Sequence, residues 1–406
     1  MARLFVAIPA MNESEFLPHT LYSLSLQDTS TPFEIVVCVN QPEDYWDDQR
    51  QVHICRDNAA TLAILRNFKG LPLHVIDCSS RGNGWKQGKG GVGMARKTLF
   101  NSILQVSNPN DIIVSLDADT VVSPSYLQSI CDNFASDRRI TAIALPYYHK
   151  IDSCSELQAR ALLRYEIYMR NYLLNLLKIN SPYAFTALGS AIAVRADVLK
   201  KIGNITPYKS GEDFYLLQKI AKMGGLTIFN TECAYPSPRP SDRVPFGTGP
   251  AINQGIIEKS TSYPIFHHTY FEPIEEACRN LENLYKKTYT DEDNEFLFFL
   301  KTQNKGLDIW EKIRSNVSDF EHFRKAFHQK ADGLRILQFI RQQHRKHPSE
   351  DTEALRDNLL HWYPDAKQTI ANLDADFNEL SSQKLNTIRN FLFSEEMKLR
   401  SEVIFP

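Results

Sequence analysis

Ile112-Ile113-Val114-Ser115-Leu116-Asp117-Ala118-Asp119-Thr120 decides how this chain is read. Four of its first five residues are apolar and three of those are β-branched, the composition of a buried strand. The strand runs into two carboxylates separated by one small residue. On extended chain, residues i and i+2 point to the same side, so both carboxylates can face one ligand. Open α/β sheets bind ligands at the carboxyl ends of their parallel strands. There, such a pair can meet a hard divalent cation and its phosphate oxygens. An Asp-x-Asp alone is better explained as two acids opening a turn capped by Thr120, so the surrounding chain has to overturn that reading.

Outward from this stretch, strand and helix patterns alternate. Strands are predicted over 4–8, 33–39, 73–76 and 112–116, with helices over 15–25, 49–65 and 91–106 between them. That order implies a parallel sheet with right-handed crossovers and helices on both faces. A helix over 124–135 and a strand over 140–145 follow, then an amphipathic helix over 155–177. The last carries three arginines beside its leucines and tyrosines, with Lys178 just past its end. It reads as a core-packing helix with a solvated basic face, or as a lid or surface that docks an acceptor or a membrane interface. Beyond residue 271 the alternation of strands stops and Glu, Lys, Leu and Phe recur at helical spacing, interrupted at His347-Pro348 and Tyr363-Pro364. The expected division is an α/β domain over 1–271 and an all-helical domain over 272–406.

Composition narrows the function classes. A chain of 406 residues exceeds the usual single domain, and 43% hydrophobic residues can fill a large core. A formal net charge of −2 lacks the basic footprint of a nucleic-acid binder. The seven cysteines are scattered without a Cys-x-x-Cys pair, so neither a zinc site nor a thioredoxin-like motif is visible, and a reducing cytoplasm fits. The N-terminal apolar run reads as a first strand rather than a signal peptide. No apolar run approaches the roughly 20 residues needed to span a bilayer. A cytoplasmic protein, soluble or peripheral on the inner face of the membrane, is expected.

Four segments carry chemistry. Pro9-Ala10-Met11-Asn12-Glu13 lies where the first strand meets a helix, and backbone N–H groups at a helix start suit phosphate or ring-edge contacts. Residues 81–97 hold six glycines and five cations before a helix, suited to close approach by a polyanion, or forming a solvated surface loop. Ser210-Gly211-Glu212-Asp213 opens another helix, where Ser210 can cap and acids are favoured by the dipole. One of those carboxylates can alternatively take a proton from an acceptor hydroxyl. The proline-rich stretch 236–250 holds Arg239 and Arg243, able to grip phosphate oxygens or to decorate a structural crossover. The pair His267-His268 is a further candidate metal or acceptor site, or ordinary core or surface histidine.

Taken in order, these pieces resemble the nucleotide-sugar-dependent glycosyltransferases of the GT-A fold, most closely glycosyltransferase family 2, over residues 1–250. The resemblance implies a Rossmann-like, mixed and mainly parallel α/β sheet. It places Pro9, Asn12 and Glu13 in a nucleotide pocket, with Asn40 at the end of the second strand where many members carry an Asp-Asp pair. The run Gly90–Lys97 is similar to the family's Gly-x-x-x-Ala-Arg helix start. Lys89, Arg96, Arg239 and Arg243 are the implied donor-binding cations, and Arg239 falls where some members have a histidine metal ligand. Asp119, with Asp117 assisting, would hold Mn²⁺ or Mg²⁺ against the diphosphate. Asp213, beside Glu212, looks like the catalytic base, and Gly189 and Ser190 sit at the acceptor-side loop. The implied reaction is an inverting transfer from a nucleotide-diphosphate sugar to a glycan, lipid-linked or small-molecule acceptor. The Gly88-Lys89-Gly90…Met94 run also resembles the retaining glycosyl-glycerate synthases, and a non-catalytic nucleotide-sugar binder is the reading from another class.

Overall fold

The apolar run that opens the chain is strand β1 (Leu4–Ala10), buried along its whole length. It is followed by α1 (Leu17–Ser25), β2 (Phe33–Asn40), α2 (Val52–Asn67), β3 (Leu73–Cys78), α3 (Val92–Val106) and β4 (Ile112–Ser115). After β4 come β5 (Thr120–Val122), α4 (Tyr126–Ser136), β6 (Ala142–Ala144), α5 (Glu156–Lys178), β7 (Ile192–Arg195), α6 (Ala196–Lys201), α7 (Glu212–Met223), β8 (Leu226–Thr227) and β9 (Ala234–Pro236). The computed structural model describes residues 2–402 apart from 87, 209, 242–246, 259–262, 306–307 and 374.

Among the described residues, seven strands form one sheet in the order β3-β2-β1-β4-β7-β6-β8, and β5 pairs with β9 separately. β3, β2, β1 and β4 are parallel, with Leu4 opposite both Phe33 and Ile112. β7 runs antiparallel between β4 and β6, and β8 is parallel to β6. The sheet is therefore mixed and mainly parallel, as expected. The sequence reading predicts no strand at 192–195. Alternating with alanine, a weak strand former, Ile192 and Val194 leave a faint signal, and it is pairing on both edges that makes β7 a strand. β5, β8 and β9, each of two or three residues, are also too short to read from sequence, and each pairs on one edge.

Alternation along the strands decides which face each side chain enters. Leu4, Val6, Ile8 and Ala10 join Ile35, Val37 and Val39 of β2 and Leu17, Leu21 and Leu24 of α1 in one cluster, completed by Tyr126, Leu127 and Ile130 of α4. Phe5, Ala7, Val36 and Ile113 take the alternate positions and are also buried, and α3 packs on β1 and β2. β1 and β4, which lead to the site, are buried along their whole length, and each fully buried Val, Leu or Ile contributes about 1.5–3 kcal/mol.

Contacts divide the chain into two compact units: Met1–Ser153, Phe185–Gly249 and Arg400–Phe405 in one, Cys154–Ala184 and Pro250–Leu399 in the other. The single cut expected after 271 differs from this division at α5 and at 250–271, which group with the C-terminal helices. The arginines of α5 also differ from their expected solvated face. Arg170 is fully buried, paired with Glu166 one turn earlier at 2.5 Å and with Glu396 of the helix Ser382–Glu402. Arg389 of that helix reaches Glu166 at 3.2 Å. Charge met from its own helix and from another is what lets a guanidinium leave water. No helix among the described residues is long and apolar enough to cross a membrane.

Candidate active site

β4 ends at Ser115, and Asp117 and Asp119 lie in the turn that carries the chain into β5 rather than on extended strand. Ala118 between them is buried in the core cluster, and Thr20 Oγ1 donates to its carbonyl at 2.8 Å. The flanking side chains keep some exposure, 34% for Asp117 and 17% for Asp119. Both carboxylates thus come off one turn, Asp117 the more exposed, through a different backbone geometry from the extended chain expected.

Arg96, one turn into α3, organises the floor beneath that turn. Its Nη2 pairs with Asp117 Oδ1 at 2.5 Å, its Nη1 with Glu212 at the start of α7, and its Nε donates to Ser115 Oγ at 3.2 Å. Ser115 Oγ in turn donates to the Gly189 carbonyl at 2.7 Å. The guanidinium is buried, and the carboxylates of Asp117 and Glu212 hold its proton more firmly than usual against the opposing effect of burial. A Cβ on Gly189 would overlap this guanidinium. Gly189→Ala is therefore expected to displace the guanidinium and lower stability by about 1–3 kcal/mol, the scale of an overpacked buried site, checked by chemical denaturation.

The acidic pair that opens α7 is divided in role by its surroundings. Glu212 is buried against Arg96. Asp213 is half-buried, and its pKa is pushed up from 3.8 to about 7. Burial is the largest cause and the charge of Glu212 the next, with Arg96 pulling the other way. The helix N-cap is not Ser210. It is Gly211 in the left-handed region (φ 75°), with no side-chain cap.

On the opposite side of the turn, Arg239 donates from Nε to Asp119 Oδ2 at 2.9 Å, and its Nη2 pairs with Glu13. The pairing of β9 with β5 brings the arginine there, and Ser237 N–H donates to the Asp119 carbonyl at 3.1 Å. Asn12 takes a left-handed φ of 60°, tolerated by asparagine, and its N–H donates to Asn58 Oδ1 at 2.9 Å. Asn40 is buried, its amide donating to the carbonyls of Ala10 and Cys38, so it ties the ends of β1 and β2 together. Pro9 lies at the end of β1, and Lys89 is exposed before α3. Arg243 lies outside the described residues.

The glycines of 81–97 divide as well. Glu43 accepts from the N–H groups of Gly82 and Gly84 at 2.7 and 2.8 Å, and a Cβ on Gly84 would strike the Glu43 backbone. Gly84 serves close contact within the protein, whereas Gly82, Gly88 and Gly91 adopt left-handed φ of 90°, 80° and 107°. The structure brings Asp117, Glu212 and Arg96 together, and Asp119, Glu13 and Arg239 together. It does not place His267 and His268 in a metal cluster. His267 faces Asp357 at 3.3 Å, and His268 stacks on His361 at 4.0 Å between ring centres. Among the described residues, no group of three or more His, Cys, Asp or Glu is placed to hold a metal ion. Ser115, Asn58 and Phe16, which supports Arg239, were not singled out from sequence. Only Ser115 leaves a signal there, as a polar residue inside a buried strand.

Magnesium and manganese need only one or two carboxylates from the protein when phosphate oxygens and water complete the shell. Asp117 and Asp119 supply that donor set from one turn, and it fits the ion in kind. Each also faces an arginine.

A family model described as "Glycosyltransferase like family 2" matches residues 2–235. No curated protein matches the chain by sequence. Among solved structures, residues 1–349 of S. aureus TarS in complex with UDP-GlcNAc are similar at 14% identity and a TM-score of 0.44, over 98% of this chain and 92% of that one. Glucosyl-3-phosphoglycerate synthase from Mycobacterium tuberculosis, with Mn²⁺, UDP-glucose and phosphoglyceric acid, is similar at 16% identity and a TM-score of 0.35. That likeness covers 55% of this chain and 68% of the other. The matched residues 2–235 take in β1 to β8, the Asp117–Asp119 turn and the Glu212-Asp213 helix start, and the chain belongs to glycosyltransferase family 2, as a transferase of the GT-A fold.

Proposed function

We propose that the chain transfers a sugar from a nucleotide-diphosphate sugar to an acceptor hydroxyl with inversion, using a divalent metal and Asp213 as the general base. The observation that carries this reading is Arg96, which joins the strand-end Asp117 to the helix start bearing Glu212 and Asp213. Donor-side and proton-side carboxylates thereby share one buried support. A carboxyl with a pKa of about 7 is matched to accepting a proton near neutral pH. It does so as the acceptor oxygen attacks the anomeric carbon from the face away from the leaving group.

Mn²⁺ or Mg²⁺, held by Asp119 with Asp117 assisting, supplies positive charge to the departing diphosphate when bound. Lys89 adds a mobile cation before α3, while Pro9, Asn12 and Glu13 line the nucleotide side. Glu212 and Arg96 hold the Asp213 helix start in place. The acceptor is a hydroxyl-bearing glycan, lipid-linked or small molecule.

A thermal-shift panel of nucleoside diphosphates and their sugars, with and without Mn²⁺, tests the donor class. The true donor at a hundred times its Kd should stabilise the protein by about 2.7 kcal/mol, and more with Mn²⁺ than without. Asp119→Asn should remove the Mn²⁺-dependent part of that shift. An unchanged Mn²⁺ effect in this variant overturns the metal assignment, and a product of retained anomeric configuration overturns inversion.

A further inference from the structure

The carboxylate assigned to the metal is already held by a cation of the protein. Arg239 sits between Asp119 Oδ2, 2.9 Å from its Nε, and Glu13, paired with its Nη2. Its guanidinium carbon lies 4.1 Å from the centre of the Phe16 ring, a cation–π seat that orients the fork toward both acids. The three side chains are well shielded, at 19%, 17% and 5% exposure for Arg239, Asp119 and Glu13, so solvent and salt screen their charges little. A divalent cation reaching Asp119 by itself meets a fixed positive charge on the same carboxylate.

A diphosphate alters that balance. Its oxygens offer the guanidinium the planar, two-point geometry that a carboxylate offers. With donor present, the arginine can leave Asp119 for phosphate while the metal takes its place. We propose that Arg239 makes divalent-cation binding and donor-diphosphate binding depend on each other: it opposes the cation when the diphosphate is absent, and exchanges Asp119 for phosphate when both arrive. The site then loads metal and donor together and holds little metal when empty. This rests on the donor class proposed above. Linkage makes the coupling reciprocal, so the cation must tighten the diphosphate by the factor by which the diphosphate tightens the cation.

The test is isothermal titration of the full chain with Mn²⁺ alone, and with Mn²⁺ in the presence of UDP, GDP, ADP, CDP or dTDP, whichever raises the melting temperature most. In Arg239→Gln, Mn²⁺ alone should bind about ten-fold tighter than in wild type, and the factor by which the diphosphate tightens Mn²⁺ should fall by about as much, within the usual range for coupled sites. Arg239→Lys keeps the charge and should stay close to wild type in Mn²⁺ affinity. Phe16→Leu keeps every charge but removes the ring beneath the guanidinium, and should tighten Mn²⁺ modestly. It also serves if circular dichroism shows Arg239→Gln to be misfolded. Mn²⁺ binding no tighter in Arg239→Gln, or Arg239→Lys behaving like Arg239→Gln, overturns the inference. If no nucleoside diphosphate binds with or without Mn²⁺, the donor reading fails instead, and the Mn²⁺-alone comparison still decides the role of Arg239.

Discussion

Replacing Asp213 with Asn is expected to lower kcat by about a thousand-fold, within the range lost with a general base. Donor affinity should stay near wild type, because the proposed donor contacts, Asp119 foremost, do not include Asp213. Single-turnover rates together with donor titration separate the two effects, and near-normal turnover in Asp213→Asn would sink the assignment. Wild-type kcat should rise as pH climbs through about 7 and level off above, because the proposed base works only when ionised.

Stability should move in the opposite sense. Folding raises the proton affinity of Asp213 from the ordinary 3.8 to about 7. The stability carried by that retained proton is complete below 3.8 and is lost as pH rises through about 7. Asn has no proton to lose. Melting of Asp213→Asn should therefore match wild type near pH 4 and exceed it at pH 8. A variant that is inactive and also less stable at pH 8 would show that Asp213 serves the fold rather than the chemistry.

Arg96 carries the second large effect. Arg96→Leu leaves Glu212, a side chain only 3% exposed, without its cation, and frees Asp117 from its anchor. Breaking a buried pair from one side costs about 3–5 kcal/mol, so a clear fall in denaturation midpoint is expected. Arg96→Lys is the more informative change. It keeps the charge but loses the fork that joins Ser115, Asp117 and Glu212. Arg96 lowers the pKa of Asp213, so a poorer cation there should move the acid limb of the kcat profile above 7. Stability lost with no movement of that limb would leave Arg96 a purely structural role.

Much of the architecture was legible because parallel strands buried on both faces read as continuous apolar runs. β1, β2 and β4 announce themselves this way. β7 does not, because its strand character comes from partners on both edges rather than from its own four residues. α5 was legible as a helix, yet nothing local says that Arg170 is buried. Glu166 lies one turn away, but the second compensating acid, Glu396, is 226 residues away.

The site divides along the same line. Asp117-Ala118-Asp119, Arg96 and Glu212-Asp213 could be selected from sequence because an apolar strand, a glycine-rich helix start and an acidic helix start each leave a local pattern. Asn40 illustrates the opposite case. Its position at a strand end suggests ligand contact, but its amide donates to the carbonyls of Ala10 on the neighbouring β1 and of Cys38 on its own strand. Gly84 likewise gives way to Glu43 rather than facing open space.

By itself, the sequence determined the alternating α/β order, the placement of the acidic turn at the end of a central strand, and the family. All three follow from short-range spacing of apolar and charged residues. Tertiary structure decided which charge meets which. Arg96 lies 21 residues from Asp117 and 116 from Glu212, and Arg239 lies 120 from Asp119 and 226 from Glu13. Whether a carboxylate faces a guanidinium, a metal or a proton depends on contacts over such separations, and on the burial that makes those contacts strong.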